Sequence, residues 1–323
     1  MAKKDTLSRR DFLGKSGLAL GAVAALPALP AMAPAAGTKL PHRVLGRTGV
    51  EVPILAFGCG SRFLMYEAEE AGLAALNRAI DLGITYLDTA IDYGDGKSET
   101  RVGMVMKTRR KEVFLATKIP GRARARDAAL REVEASLKRL QTDHVDLLHI
   151  HSLGGEDDLA RIEAPDGVLK ALYELRDQKA ARFIGMTSHT DGAVMAKAIE
   201  RNDLDCVQMA MNPARANRFE ELALPAARAK NLGVILMKVT AQEKLLGAGK
   251  AETAALLRYA WSLPVSTVVC GMPKPEFVES NVASAHGFGP MPPAEMDRLR
   301  ERLAGERVAL ERFFAGHHDG ATA

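Results

Sequence analysis

The sequence predicts a (β/α)8 TIM barrel with an N-terminal β-hairpin and a C-terminal helical extension. Eight short apolar runs bounded by Gly, Asp or Asn alternate with amphipathic segments, in which apolar residues return every three or four positions. Strands that are apolar at successive positions and alternate with helices indicate a parallel sheet that is covered on both faces. Eight such units in a row favour a closed barrel over an open doubly wound sheet.

The predicted elements follow one another along the whole body of the chain. A hairpin is predicted over 43–52, with Thr48 and Gly49 at its turn, and it could cover the lower end of the barrel. The segments 69–83 and 126–141 predict helices between strands, and 294–315 predicts one or two helices after the last strand. The eight predicted barrel strands are 53–60, 84–90, 113–118, 145–151, 182–188, 205–212, 233–238 and 267–272.

The first 36 residues differ from the rest of the chain. The paired Arg9 and Arg10 precede an Ala/Leu-rich apolar stretch that ends in small residues near Ala35. This layout resembles a twin-arginine (Tat) signal, which predicts recognition by the Tat export machinery and a periplasmic or otherwise exported protein; a cytoplasmic protein is the alternative. The predicted domains are the signal segment 1–36, the barrel domain 40–315 and a frayed tail, 316–323.

Composition and charge exclude several classes of partner. Of the 323 residues, 47% are hydrophobic and 26% charged, and the body of the chain has no apolar run long enough for a membrane span. Residues 1–35 carry +3 of the formal net charge of +4, so the remainder has no strongly basic character and nucleic-acid binding is not expected. The three cysteines form no C-x-x-C pair and lie in apolar runs, which predicts buried free thiols.

Polar residues gather where the predicted strands end, which is the edge that carries the active site in TIM barrels. Asp88 follows the second strand, with Tyr93 in the loop after it, and the stretch LDTAIDYGDG (87–96) surrounds both residues. The other polar residues at strand ends are Lys118, His151, Ser188, His189, Gln208, Asn212 and Lys238.

Segments in this order and spacing resemble those of the aldo-keto reductase family. They are LGRTG, LDTAIDYGDGKSE, ATK, VDLLHIH, GMTS, VQMAMNP, GVILMK and GMPKPEFVESN, and together they cover nearly all of the chain after the signal segment. The resemblance implies an enzyme that transfers a hydride between a nicotinamide cofactor and an aldehyde or ketone and its alcohol. The implied catalytic residues are Asp88, Tyr93, Lys118 and His151.

These four residue types also make chemical sense without the family. A phenol has an unperturbed pKa of about 10, so a tyrosine that protonates a carbonyl oxygen at neutral pH needs help. An ammonium from Lys118 would favour the phenolate of Tyr93, and Asp88 would hold that lysine charged and oriented. His151 could donate to the same carbonyl oxygen. Asp92 is assigned to the turn, together with Gly94 and Gly96.

The resemblance also implies which residues hold the cofactor. NADPH is expected, with NADH as the alternative, and no metal is expected. The nicotinamide amide would contact Ser188, His189 and Gln208, although many relatives have Asn at the position of His189. Met237 stands where relatives often carry an aromatic residue under the nicotinamide ring. The other cofactor-binding candidates are Gly58, Lys238, Gly271, Lys274 as the basic residue nearest to Phe277, and Asn281 on the adenine side.

Two other functions are compatible with the same residues. A barrel that binds the nicotinamide with little turnover would serve as a redox sensor or a module for binding a partner. The pair formed by His149 and His151 would suit a metal-dependent hydrolase in which both imidazoles bind zinc. Later strand ends, however, offer Ser188, Gln208 and Lys238 rather than further metal ligands.

Overall fold

The computed structural model of the protein describes residues 39–316. The predicted signal segment, 1–36, and residues 317–323 of the predicted tail lie outside the described residues. The predicted domain limits, 40–315, stay a prediction. None of the helices between residues 39 and 316 is long and apolar enough to cross a membrane.

Eight of the strands in the described part of the chain form a closed parallel barrel. They follow the chain order, and the eighth pairs with the first, so the predicted barrel is confirmed. Each overlaps one of the predicted apolar runs. The strands are β1 (His42–Val44), β2 (Glu51–Pro53), β3 (Leu55–Gly58), β4 (Tyr86–Asp88), β5 (Phe114–Ile119), β6 (Val145–Ile150), β7 (Ala181–Ser188), β8 (Cys206–Ala210), β9 (Gly233–Met237) and β10 (Thr267–Cys270), of which β3–β10 build the barrel.

Helices cover the outside of the barrel because each one has an apolar face. In the helix Arg126–Leu140, the buried positions Ala129, Val133, Ser136 and Leu140 recur at helical spacing. The α-helices within residues 39–316 are α1 (Ser61–Leu64), α2 (Glu69–Asp81), α3 (Lys97–Arg109), α4 (Arg126–Leu140), α5 (Glu156–Ile162), α6 (Val168–Asp177), α7 (Gly192–Arg201), α8 (Leu224–Ala229), α9 (Thr253–Ser262), α10 (Pro275–His286), α11 (Pro293–Leu303) and α12 (Arg307–Ala315).

The two strands that precede the barrel form the predicted hairpin and lie at its lower end. β1 and β2 pair antiparallel, and Leu45 between them is fully buried. The side chain of Leu45 lies so close to Gly233, the first residue of β9, that a Cβ there would sit 2.7 Å from it. Since β9 begins at this end, the hairpin covers the side of the barrel opposite to the carboxyl ends of the strands.

One row of the barrel interior joins residues from five neighbouring strands. Lys118, His149, Gly185, Cys206 and Gly233 are partners in register along β5 to β9, so they share one face of the sheet. A Cβ on Gly185 would lie 2.6 Å from Nδ1 of His149. The row therefore accommodates an imidazole because its neighbour on β7 has no side chain.

The cysteines of the described chain are free and buried, as the sequence predicts. Burial raises the pKa of Cys270 to about 12 and raises those of Cys59 and Cys206 well above the ordinary value. These thiols therefore stay protonated at neutral pH and behave as small apolar side chains.

Candidate active site

Lys118 lies at the centre of a buried polar cluster at the carboxyl end of β5. Its ammonium Nζ donates to Asp88 Oδ1 at 2.7 Å, to the Thr89 carbonyl at 2.9 Å and to the Tyr93 hydroxyl at 3.0 Å. The lysine is only 1% exposed. All three ammonium protons have acceptors, so this lysine is held in one orientation with its charge compensated.

The parallel register explains how Asp88 reaches this cluster. Asp88 is the last residue of β4, which pairs with β5, and it faces Ala116, two positions before Lys118. The chain then turns through Thr89 and returns Tyr93 over the lysine, with Nζ 4.7 Å from the centre of the phenol ring. An ammonium this close to a phenol oxygen stabilises the phenolate, which is the product of proton donation by a tyrosine.

His151 lies beside Tyr93, just after β6. The centres of the two rings are 5.9 Å apart and the rings are nearly perpendicular, with an angle of 81° between their planes. His151 is 2% exposed. The structure thus brings together all four side chains that the sequence predicts as catalytic, Asp88, Tyr93, Lys118 and His151; their roles stay predictions.

The assignment of Asp92 to the turn alone is wrong. Its carboxylate Oδ2 lies 3.0 Å from Nδ1 of His151, and its Oδ1 accepts from Nη1 of Arg122 at 2.8 Å. Burial raises the pKa of Asp92, but the hydrogen bond and charge of His151 and the charge of Arg122 outweigh it, so the pKa lies below the ordinary value. Residues 92 and 151 meet only after the barrel closes, so no local pattern in the sequence indicates this pairing.

His149 lies one layer deeper in the barrel than His151. It is fully buried, and neither of its ring nitrogens has a hydrogen-bond partner among the described residues. Burial, followed by the charges of Lys118 and His151, lowers its pKa well below the ordinary value, so the ring is neutral. Within residues 39–316, no group of three or more His, Cys, Asp or Glu side chains is arranged to hold a metal ion.

A cavity of about 480 Å³ opens beside the tyrosine. Its wall includes Asp88, Tyr93, Gln208 and Met237. The buried oxygen Oε1 of Gln208 has no hydrogen-bond partner within residues 39–316, so it can accept a hydrogen bond from a ligand. The cavity is lined by these predicted cofactor-binding residues: Gly58, Gln208, Met237, Lys238, Gly271, Lys274 and Asn281.

Two of the predicted cofactor contacts are not part of the cavity wall. The hydroxyl of Ser188 donates to the carbonyl of Leu153 at 2.8 Å. His189 is 3% exposed, its carbonyl accepts from Asn217, and its ring lies against that of Phe314 in α12. The structure thus connects both residues to neighbouring loops and to the last helix.

Several residues of the cavity wall were not predicted as cofactor-binding residues. Arg62 in α1 donates to the Gln242 carbonyl at 3.3 Å and pairs with Glu243 at 3.4 Å, so it joins the loops after β3 and β9. A Cβ on Gly271 would lie 2.7 Å from Cβ of Arg62, which explains a glycine at this close approach. Both loops follow barrel strands, and this position was the one sequence signal that could have indicated their place in the cavity wall. Their residues show no periodic pattern.

The comparisons with known proteins agree with this geometry. The sequence model described as "Aldo/keto reductase family" matches residues 56–255. The chain belongs to the aldo/keto reductase family. This family comprises oxidoreductases, and the match includes all four residues of the buried cluster beside the cavity.

Individual relatives in the family are distant. The chain is 30% identical to the aldo-keto reductase yakc [NADP(+)] of Schizosaccharomyces pombe over 66% of its own length and 65% of the relative. It is 33% identical to the L-galactose dehydrogenase of Arabidopsis thaliana over 46% of its own length and 49% of that enzyme. The chain thus matches less than two thirds of the length of either relative.

A solved structure in the family shows the same fold. An aldo-keto reductase from Bacillus halodurans superposes with a TM-score of 0.69 at 24% identity, covering 81% of this chain and 96% of that one. At this identity the similarity concerns the arrangement of strands and helices only.

Proposed function

We propose that the protein is an NADPH-dependent oxidoreductase that interconverts an aldehyde or ketone and its alcohol, with Tyr93 as the general acid and base. The observation that carries this proposal is the contact of Lys118 Nζ with the Tyr93 hydroxyl at 3.0 Å while the same nitrogen binds Asp88 at 2.7 Å. Membership in the family and the NADP(+) in the name of the Schizosaccharomyces pombe relative support the activity and the cofactor.

The residues around the cavity fit a nicotinamide dinucleotide. Gln208 offers a buried acceptor that has no partner in the described part of the chain, which suits a carboxamide, and Met237 next to it offers an apolar surface. Lys274 precedes α10, whose N-terminal backbone amides favour an anionic group. Asn281 lies further along the same helix. When bound, the nicotinamide supplies the hydride.

The chain's own residues then carry the proton. In reduction, the Tyr93 hydroxyl donates its proton to the carbonyl oxygen, and Lys118 stabilises the resulting phenolate. In oxidation, the phenolate accepts the proton of the alcohol. Asp88 balances the charge of Lys118 inside the barrel, where both side chains are buried. His151 contacts the same oxygen and orients it.

Replacing Tyr93 by Phe tests the role of the hydroxyl. We expect Tyr93→Phe to lower carbonyl reduction by at least about 100-fold, because general acid catalysis typically contributes this much. Binding of NADPH, followed by quenching of protein fluorescence, should remain. Tyr66→Phe is the matched control, since Tyr66 is also buried, its hydroxyl has no partner in the described chain and it lies outside the cavity. Unchanged turnover in Tyr93→Phe would refute the assignment.

The same assays distinguish the enzyme from a sensor. Steady-state rates with NADPH and NADH over a set of aldehydes and ketones should show turnover and a preference for NADPH. Tight nicotinamide binding without turnover of any carbonyl would instead indicate the sensor or partner-binding module. The cluster of Asp88, Tyr93 and Lys118 favours the enzyme, because a binding module needs no proton donor.

We also propose that residues 1–36 direct export by the Tat route. The support is the sequence pattern around Arg9 and Arg10. The double variant Arg9→Lys, Arg10→Lys should remain in the cytoplasm at full length, whereas the natural chain should reach the periplasm without this segment. A variant with Lys3 and Lys4 replaced by Gln serves as the control. Recovery of the natural chain only in the cytoplasm, with residues 1–35 intact, would refute export.

A further inference from the structure

The carboxylate of Asp92 connects the active-site histidine to a surface arginine. Its two oxygens have separate partners: Oδ2 lies 3.0 Å from Nδ1 of His151, and Oδ1 accepts from Arg122 at 2.8 Å. Arg122 is about half exposed and also pairs with Glu132 of α4 at 3.0 Å. A chain of charged groups thus runs from the surface to the residue beside Tyr93.

This arrangement differs from what a turn requires. An aspartate that stabilises a turn accepts from a backbone N–H about two residues further along the chain. The carboxylate of Asp92 accepts instead from two side chains that follow β5 and β6, 30 and 59 positions away. Its side chain is 27% exposed, whereas that of His151 is 2% exposed, so the carboxylate meets the imidazole at the edge of the buried site.

We propose that Asp92 is a positioning residue for His151: its carboxylate holds a proton on Nδ1 and fixes the orientation of the ring beside Tyr93. The proposal rests on the function proposed above. A neutral imidazole carries one proton, and the partner of one nitrogen decides which nitrogen has it. A carboxylate can only accept, so it places a proton on Nδ1. The same carboxylate stabilises the imidazolium, whose Nε2–H can donate to the oxygen that Tyr93 protonates.

Arg122 favours the ionised form of the Asp92 carboxylate, which is the form that accepts from His151. The charged groups that face Asp92 are His151 after β6 and Arg122 after β5, with Glu132 of α4 beyond the arginine. Both direct partners are donors, so they favour the ionised carboxylate. In accordance with this geometry, the pKa of Asp92 lies below its ordinary value although burial raises it.

A second aspartate and histidine pair in the same chain provides a matched control. Asp143 Oδ1 lies 2.6 Å from Nδ1 of His144, so the local chemistry is the same. Both side chains are exposed, however, at 95% and 45%, and neither lines the cavity. Removal of the carboxylate there should change the neighbouring histidine without any effect on turnover.

The first experiment measures the tautomer of His151 directly. We expect Asp92→Asn to move the proton of His151 from Nδ1 to Nε2. Arg122 can only donate, so the single carbonyl oxygen of the amide would face Arg122 and its NH2 group would donate to Nδ1. Two-dimensional NMR of the full chain with 15N-labelled histidine, assigned with His151→Gln, reports the tautomer. Asp143→Asn should leave the signal of His151 unchanged. An unchanged tautomer in Asp92→Asn would overturn the proposal.

The second experiment measures turnover. With Asp92→Asn we expect kcat/KM for the carbonyl to fall by roughly 10- to 100-fold, the range typical of residues that orient an active-site histidine. Fluorescence titration should show unchanged NADPH binding, and Asp92→Glu should recover part of the rate because a carboxylate is retained. Asp143→Asn should have the natural rate. A changed tautomer with unchanged kcat/KM would overturn the contribution of Asp92 to the reaction.

The two readouts separate this inference from the proposed function. If the natural chain turns over no carbonyl but Asp92→Asn still changes the tautomer of His151, the positioning role is supported and the proposed reaction fails. If Tyr93→Phe abolishes turnover while Asp92→Asn changes neither the tautomer nor the rate, the reaction is supported and the role of Asp92 is refuted. The partial recovery in Asp92→Glu distinguishes loss of the carboxylate from misfolding.

Discussion

Asp88 and Asp92 lie on either side of the same turn, yet they work in different environments. Asp88 is 1% exposed and contacts the ammonium of Lys118, while Asp92 is partly exposed and contacts His151 and Arg122. The first pair fixes a charge inside the barrel, where water cannot replace a lost partner. The second lies at the rim, where solvent reaches both the carboxylate and Arg122. Depth in the barrel, rather than residue type, decides what each carboxylate does.

Removal of one partner should reduce the free energy of unfolding more at the buried pair, Asp88 and Lys118, than at the rim. Removal of one partner from a buried ion pair leaves an uncompensated charge, which is far more costly than the net gain from the intact pair. One oxygen of Asp88, Oδ2, already has no partner among the described residues. The loss of Lys118 would leave both oxygens of a buried carboxylate unsatisfied. The following predictions test this difference between the interior and the rim.

The largest effect should come from Lys118→Met. We expect a loss of about 3–5 kcal/mol in the free energy of unfolding at pH 7, the usual cost of removing one partner from a buried ion pair. The double variant Asp88→Asn, Lys118→Met should recover much of it, because the stranded charge is then removed as well. Urea titration followed by circular dichroism measures both.

Lys138→Met is the matched surface control for that experiment. Lys138 pairs with Glu134 at 2.6 Å, and their side chains are 73% and 69% exposed. The expected cost is about 0.3–0.5 kcal/mol, because solvent screens the pair. Equal losses in Lys118→Met and Lys138→Met would contradict the distinction between interior and rim.

Gly185→Ala should cause an intermediate loss of stability. It tests the layer of the barrel interior that contains His149, below the catalytic cluster. The new Cβ would lie 2.5 Å from the Cys206 carbonyl oxygen and 2.6 Å from Nδ1 of His149. Overpacking of this kind typically costs about 1–3 kcal/mol, which thermal unfolding can measure. Gly289→Ala is the control, since its Cβ would meet nothing within 4 Å. If Gly185→Ala is as stable as Gly289→Ala, the barrel interior rearranges around the new methyl group at little cost in free energy.

The smallest effect should come from Arg122→Gln at the rim. Asp92 must be ionised to hold His151, so activity is lost as the pH falls through its folded pKa, which lies below the ordinary value. Without the charge of Arg122, that pKa rises and the acid limb of kcat/KM moves to higher pH. An exposed pair contributes up to about 1 kcal/mol, so the shift should be less than about one pH unit.

Measurement of kcat/KM against pH in both proteins checks this shift. Lys138→Met should leave the acid limb in place. If the acid limb of the kcat/KM profile of Arg122→Gln moves to lower pH, or does not move, Arg122 does not hold Asp92 ionised.

Most of the fold followed from local patterns. The apolar runs and the three- and four-residue spacing between them depend only on neighbouring positions, and every predicted barrel strand is present. The four residues of the predicted catalytic set could also be placed, because parallel strands bring their carboxyl ends to one edge. The two histidines of β6 and its end are a further example. Period-two alternation predicts that His149 and His151 share one face with His149 one layer deeper, and the register of His149 with Lys118 and Gly185 agrees.

The amino-acid order alone predicts the barrel, its hairpin and the strand-end positions of Asp88, Lys118 and His151, because these follow from periodicity and strand direction. The partners of side chains in the loops depend on the folded arrangement of the chain. Asp92 meets His151, and Arg62 meets Glu243, across gaps of 59 and 181 positions that no local pattern records. Hydrogen bonds form between groups that are near in space, and loop positions become neighbours only once the barrel has closed.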